Sequence, residues 1–422
     1  MSARSGLAAL LSGVFMMLSP VTGRATVVLD SATAQPLPRA SVFDRKGKLV
    51  GFCSDSGVVP VLDEASYPLA VRVMGYATAE VANPRQKSVI LSKVDFDLPE
   101  VVVESKKRQV LHITAYLREY STLSTYSDTV LLFREKTVDF MVPTKKAGNF
   151  KGWLDPRVLA SRSYYHFSGP DGLDSVSNHF GQHFSWSDWI GIFPSRELPQ
   201  RLRDVTLASD TVYGRYSPSV IWSRDDMNVS LEVDIMADKE NRSFMPGLFD
   251  LFGRKVEFTQ FNLRYLFSGV DGDKVYADNL ARMSFNIESN GRGRKVRHLL
   301  SSDGPAYVDT YAELYVTDLE YISVADACRL EKRPPSAEEI GINAPPDAPE
   351  LQPAIADLVC RVDNFDYIGH RLVEKADPRY AGKTIPEHFQ KRPNFVVRAL
   401  RSIIKDNVWP SSGMQGKFVL GR

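Results

Sequence analysis

After its first two dozen residues the chain has no long hydrophobic run; nothing later approaches the roughly 18 apolar residues a membrane-crossing helix needs. It also lacks a charge imbalance: 52 Lys and Arg against 51 Asp and Glu leave a formal charge of +1. A nucleic-acid binder normally carries a marked basic excess, so no nucleic-acid partner is expected. Cysteine is scarce, with three in 422 residues, too few for a disulfide scaffold. Cys53 reads as a small core residue in a strand; Cys328 and Cys360 either pair or stand as buried thiols. Catalytic signatures are missing too. None of the seven histidines is followed by Glu three residues later, and neither a GxSxG elbow nor a P-loop occurs. No catalytic residue and no cofactor site is therefore assigned, and length suggests two or three domains.

What is present begins at the N-terminus. Arg4 supplies a positive region, Leu7–Leu18 is apolar, and Gly23 and Ala25 are the small residues of a cleavage site. This is the pattern of a secretory signal peptide over residues 1–25. The nearest cysteine to that site is Cys53, so the lipoprotein signal is missing. The mature chain is expected to be exported, to the periplasm or in association with the outer membrane, without being an integral membrane protein.

Residues 26–95 show short β-type runs broken by turn chemistry: VVL, ASVF, LVGFC, VVPVL, PLAVRVM, ATAEV and SVIL, with turns at Asp44–Gly47 and Asp55–Gly57. About seven short strands without helical period predict an antiparallel sandwich. PLPRASVF (36–43), SDSG (54–57), LAVRVMGY (69–76) and VILSKVDFDLPEVVVE (89–104) occur in that order. Together they resemble the carboxypeptidase-regulatory-like domain, and the LPEVVVE segment resembles the strand that follows it in exported proteins and TonB-dependent receptors of Bacteroidota. Ser54 stands where the family usually has threonine, and the turn is one residue shorter. The resemblance implies a transthyretin-like or Ig-like packing module, not a peptidase; the zinc motif of the catalytic domain is missing.

Residues 96–332 read as a β-rich domain with peripheral helices. DTVLLFREKTVDFMVP spaces Val130, Phe133, Thr137, Phe140 and Met141 as a helix over 128–141, and LHITAYLREYSTLSTY reads as another. VTLASDTVYGRY, VSLEVDIMA, VEFTQFNLRYLF, ARMSFNIES and YAELYVTDLEYISV alternate as strands, and Asn290-Gly291 signals a hairpin. Uneven strand lengths and the interrupting helical segments speak against an outer-membrane barrel. A Pro-rich linker, 333–353, precedes a helical C-terminal region, 354–422, with LQPAIADLVCRV and NFVVRALRSII as amphipathic helices. The expected class is mainly β: a sandwich, a β-rich domain, and a short helical tail.

One constellation raises chemistry. HFGQHFSWSDW (179–189) places His179 and His183 four apart, on one face of a helix predicted over 175–184. That spacing serves zinc sites, with His166 or Asp188 as a further ligand from the tertiary fold. Phe180 occupies the position of the general-base glutamate, and Phe184, Trp186 and Trp189 extend an apolar surface, which favours a packed core. Asp271-Gly-Asp273 reads as a turn, and Arg292, Arg294, Lys295 and Arg297 as a charged hairpin tip. Asp30-Ser31-Ala32, Asp128-Thr129-Val130, Asp174-Ser175-Val176 and Asp210-Thr211-Val212 match the tripeptide used for periplasmic O-glycosylation in Bacteroidota, beside a capping role for their side chains. Two functions remain open: a non-enzymatic envelope protein that binds a protein or glycan partner, and a metal-dependent hydrolase built on His179 and His183 with zinc.

Overall fold

The computed structural model describes residues 25–94, 109–124, 129–144, 147–168, 174–178, 186–187, 190–203, 205, 207–237, 255–292 and 306–364. The signal segment, the LPEVVVE stretch, the helix expected at NFVVRALRSII and most of HFGQHFSWSDW lie outside these residues. The fold is mainly β. Six short strands build the N-terminal module: β1 (Val27–Asp30), β2 (Ser41–Phe43), β3 (Leu49–Phe52), β4 (Leu69–Arg72), β5 (Ala79–Val81) and β6 (Ser88–Leu91). β1 pairs with β6 in parallel, and β3-β2-β4-β5 form an antiparallel sheet. Val28, Val42, Leu69, Val71, Val81 and Val89 pack between them. The expected seventh strand, VVPVL, forms only a bridge from Val58 to Val27; Pro60 lacks the amide that a ladder needs.

The second region holds strands β7 (Val110–Ser124), β8 (Thr129–Pro143), β9 (Trp153–Ser168), β10 (Asp174–Ser177), β11 (Ser195–Glu197), β12 (Leu207–Tyr213), β13 (Pro218–Asp225), β14 (Asn228–Asp234), β15 (Lys255–Phe267), β16 (Lys274–Tyr276), β17 (Leu280–Arg292) and β18 (Ala306–Ile322). Ten of them form one antiparallel sheet in the order β10-β9-β8-β7-β18-β17-β15-β14-β13-β12, and β11 pairs with β16. Three helices follow: α1 (Val324–Lys332), α2 (Ala337–Ile340) and α3 (Pro353–Asp363).

Several expected elements are corrected here. The helix over 128–141 is strand β8, and the helix before it is β7. Nearly every residue of β8 is buried, because both faces of the central strands are covered. A strand covered on both faces loses its polar alternation and cannot be told from a buried helix by period alone. Of the helix expected over 175–184, residues 175–177 belong to strand β10. Asn290-Gly291 is not the turn; it lies inside β17, where Gly291 pairs with Val256 and Ala306. The Pro-rich segment 333–353 is not a separating linker but a strap: Gly341 O accepts from Thr137 Oγ1 at 2.7 Å, and Asp347 pairs with Arg282. Cys53 is buried just after β3, whereas Cys328 and Cys360 are both free thiols, with Cys360 exposed. The Asp44–Gly47 turn forms as expected. Asp44 Oδ1 accepts from the amides of Lys46 and Lys48, and Gly47 sits at φ +74°, where a Cβ would meet Ile355 of α3 at 2.8 Å.

Period two divides the large sheet into two unlike faces. One carries Ile113, Leu117, Phe140, Leu231, Leu263, Phe285 and Leu314 in a continuous apolar core, covered in part by Ile190, Ile192, Phe193 and Leu198. The other face is polar, and the module, the strap and α3 sit on it.

Candidate functional site

Two rows of side chains run abreast across the polar face. In the first, Glu135, Arg118, Glu313, Ser284, Arg264 and Glu232 occupy paired positions on β8, β7, β18, β17, β15 and β14. In the second, Phe133, Tyr120, Tyr311, Asn286, Asn262 and Asp234 follow the same strands. The module answers the second row residue by residue. Phe43 meets the Tyr120 and Tyr311 rings edge-on, with centroids 5.1 and 6.0 Å away. Ser41 Oγ donates to Asn286 Oδ1 at 3.3 Å, and Asn286 Nδ2 donates to Arg39 O at 2.6 Å. Arg39 reaches Asp234 at 3.1 Å. Ser41 and Phe43 are two apart on β2 and share one side of it, while Arg39 reaches the row from the turn just before the strand, at φ +57°.

At the centre of the first row stands Glu313, fully buried. Its Oε2 accepts from Arg118 Nε at 2.6 Å and from Arg72 Nη2 of the module at 2.9 Å, and its Oε1 accepts from Tyr311 at 2.6 Å. Burial alone would raise this carboxyl; Arg118, then Arg72, outweigh it and bring it down to about 2. Arg72 also donates to Tyr120 Oη, and Arg118 donates to Pro349 O of the strap at 2.7 Å. Tyr315 lies between the guanidiniums of Arg118 and Arg282, each 5.6 Å from its ring centre. One carboxylate thus ties module, sheet and strap together. A cavity of about 320 Å³ opens where the three meet, lined by Val73, Met74, Tyr76, Val94, Tyr315 and Glu350 among others.

Other ionisable clusters hold the frame. On the apolar face Lys136 Nζ donates to Glu119 Oε2 at 2.9 Å and to Ser187 Oγ at 2.6 Å, and Ser187 donates to the same glutamate. A Ser–Lys nucleophile needs a neutral lysine open to substrate. Here the amine is bonded to both the carboxylate and the hydroxyl, and all three groups are buried away from any substrate. On the polar face His112 donates to Glu320 at 2.8 Å and to Asp139 at 3.2 Å, and Arg157 also grips Asp139. Burial would lower the His112 pKa, but its two carboxylate partners, Asp139 first, raise it and hold the imidazolium. Both ring nitrogens of His112 thus face a carboxylate oxygen. Glu288 and Asp309 stand directly opposite on β17 and β18. Burial first, and the Glu288 charge second, push Asp309 up to about 7, against a small pull from Lys48.

His179, His183 and Asp188 lie outside the described residues, as do Arg294, Lys295 and Arg297. His166 is on β9, in register with Leu131 and Val176. Among the described residues, no group of three His, Cys, Asp or Glu side chains is arranged to hold a metal. Trp186 donates to Ser289 Oγ at 3.0 Å and packs edge-on to Phe258 at 5.3 Å, as a core residue does. Asp30 caps its own turn, accepting from the amides of Ala32 and Thr33. The central cluster was missed at the sequence level, although a signal existed. Tyr116-x-Arg118-x-Tyr120 and Tyr311-x-Glu313-x-Tyr315 are complementary strand faces, and the register pairs Arg118 with Glu313.

No family model and no curated protein matches the chain. Among solved structures, one titled for lipid–protein interactions in lipovitellin aligns with 52% of this chain at 7% identity and a TM-score of 0.25. The aligned part spans 26% of that chain. Among the described residues, no helix is long and apolar enough to cross a membrane.

Proposed function

We propose that the chain is an exported, non-enzymatic cell-envelope protein, held in the periplasm or at the outer membrane, that acts by binding an envelope protein or glycan. In this reading its N-terminal module is of the carboxypeptidase-regulatory-like type and serves as a packing and recognition unit on the β-rich body. The observation that carries the reading is the saturation of the ionisable groups. Glu313 is held by Arg118, Arg72 and Tyr311, Lys136 by Glu119 and Ser187, and His112 by Glu320 and Asp139, so each is engaged by its neighbours in the fold. Catalysis needs a base or nucleophile left free to meet substrate. What lies open instead is the cavity bounded by module, sheet and strap, where Val73, Met74 and Val94 stand beside charged Arg282, Asp347 and Glu350, a concave site offering both apolar and polar contacts.

The test is made on protein recovered from fractionated cells. The mature N-terminus at Thr26, an envelope location and an envelope component crosslinked to the Met74–Tyr76 segment are the expected results. Intact Met1 in the cytosol would overturn the export part. Stoichiometric zinc with hydrolysis, both lost in the His179→Gln, His183→Gln double variant, would overturn the binding part.

A further inference from the structure

The large sheet ends in two edges that are treated differently. β10, at one end, has only four residues, and its Val176 packs in one cluster with Ile355 and Leu358 of α3. β12, at the other, has seven residues and, among the described residues, pairs only with β13. Among the described residues, its outer row of backbone N–H and C=O groups has no strand partner. Soluble proteins normally blunt such an edge with charge, proline or a cover, because it is a template for another strand. β12 does the reverse. Leu207 is 79% and Tyr213 75% exposed, and Val205, Val212, Tyr216 and Met227 are exposed close by. These six are most of the large exposed apolar side chains among the described residues. On β12 itself the sole charge is Asp210, whose nearest cation, Arg201, stands 3.8 Å away and is itself largely exposed.

We infer that β12 is a docking edge for an extended segment of another polypeptide, one with apolar residues toward its ends and a basic residue opposite Asp210. The inference deepens the binding role proposed above by naming a surface and the chemistry of its partner. Charge selects a foreign strand over a second copy. Antiparallel self-pairing that uses all of Leu207–Tyr213 places Asp210 directly against its own copy, and like charges opposite each other destabilise a ladder. Main-chain hydrogen bonds supply affinity in such strand addition, and alternate side chains supply selectivity. Leu207 and Tyr213 share one side of the strand, whereas Asp210 and Val212 share the other.

The experiment uses the full mature chain and two dye-labelled peptides, acetyl-Val-Val-Thr-Lys-Thr-Val-Val-amide and the same peptide with Glu at its centre, followed by fluorescence anisotropy. The lysine peptide should bind about fivefold more tightly than the glutamate peptide. Asp210→Lys should reverse that order, and Tyr213→Lys, at an exposed side chain, should weaken both by at least about threefold. Hydrogen exchange should slow at the amides of 207–213 when peptide is added. No binding of either peptide, or equal binding that ignores Asp210→Lys, would overturn the proposal. So would a concentration-dependent dimer that Leu207→Lys dissolves, since the edge would then belong to a second copy. Failure here would leave export and the cavity untouched, so the two readings fall separately.

Discussion

The two faces of the ten-stranded sheet solve the same problem with different chemistry. The apolar face is held by area: Phe285, Leu231 and Ile113 lose water and gain close packing, and no single contact decides the geometry. The polar face is held by matching. Arg39 meets Asp234, Ser41 meets Asn286, Phe43 meets Tyr120, and Arg72 meets Glu313. Desolvating such groups costs several kcal/mol per ion, and poor geometry does not recover it. A slipped module would leave buried charges unpaired, so the polar face fixes position where the apolar face supplies cohesion.

The largest effect expected is from breaking the central ion cluster by one member. Glu313→Gln leaves Arg72 and Arg118 buried without a counter-charge and should cost about 3–5 kcal/mol in denaturant unfolding. The triple variant Arg72→Met, Arg118→Met, Glu313→Leu removes the whole set and should recover most of that loss. It should also loosen the placement of the module, seen as faster amide exchange in β2. On the other face, Phe285→Ala should cost about 3–4 kcal/mol by opening a cavity, with no such recovery available from a partner change.

A smaller effect separates the faces by pH. Asp309 is raised in the folded chain, from 3.8 to about 7. A raised folded-state pKa gives stability that is fully present below the unfolded value and is lost as pH rises through the folded one. Stability should therefore fall between about pH 4 and 7, by an amount on the order of 3 kcal/mol from this group. His112, also raised, adds a loss in the same direction above its ordinary 6.5. Glu313 runs opposite: its contribution is present above the unfolded 4.5 and is lost as pH falls through about 2. Unfolding curves at pH 5, 6, 7 and 8 should flatten in Asp309→Asn and keep only the His112 part. The smallest effect expected is at the exposed thiol: Cys360→Ser should change stability by less than about 0.5 kcal/mol, and thiol titration under non-reducing conditions should find Cys328 and Cys360 unpaired.

The contrast between the faces also sets what could be read from the sequence. The strands of the module and the outer strands β12, β14 and β15 were legible, because one side of each meets water or a polar partner and the period of two survives. β7 and β8 were not. Their polar-face residues, Tyr116, Arg118, Tyr120, Phe133 and Glu135, are as buried as their apolar-face residues, and aromatics mixed with charges imitate a helix. The His179/His183 pair drew attention because spacing along the chain is visible. The Glu313 cluster escaped because it joins residues from β4, β7 and β18, which only strand register brings together. The strap was mistaken for a linker because Pro-rich composition reports irregular backbone and says nothing about whether that backbone is packed.

The central claim is that paired ions seat the module on the sheet, and a double-mutant cycle across that contact tests it most directly. Arg72→Met in the module, Glu313→Gln in the sheet, and the two together would be compared by equilibrium unfolding. A seating pair should give a coupling of about 1.5–3 kcal/mol, with the double variant more stable than the sum of the single losses implies. Additive losses, with coupling below about 0.5 kcal/mol, would contradict it and leave the module held by apolar contact alone.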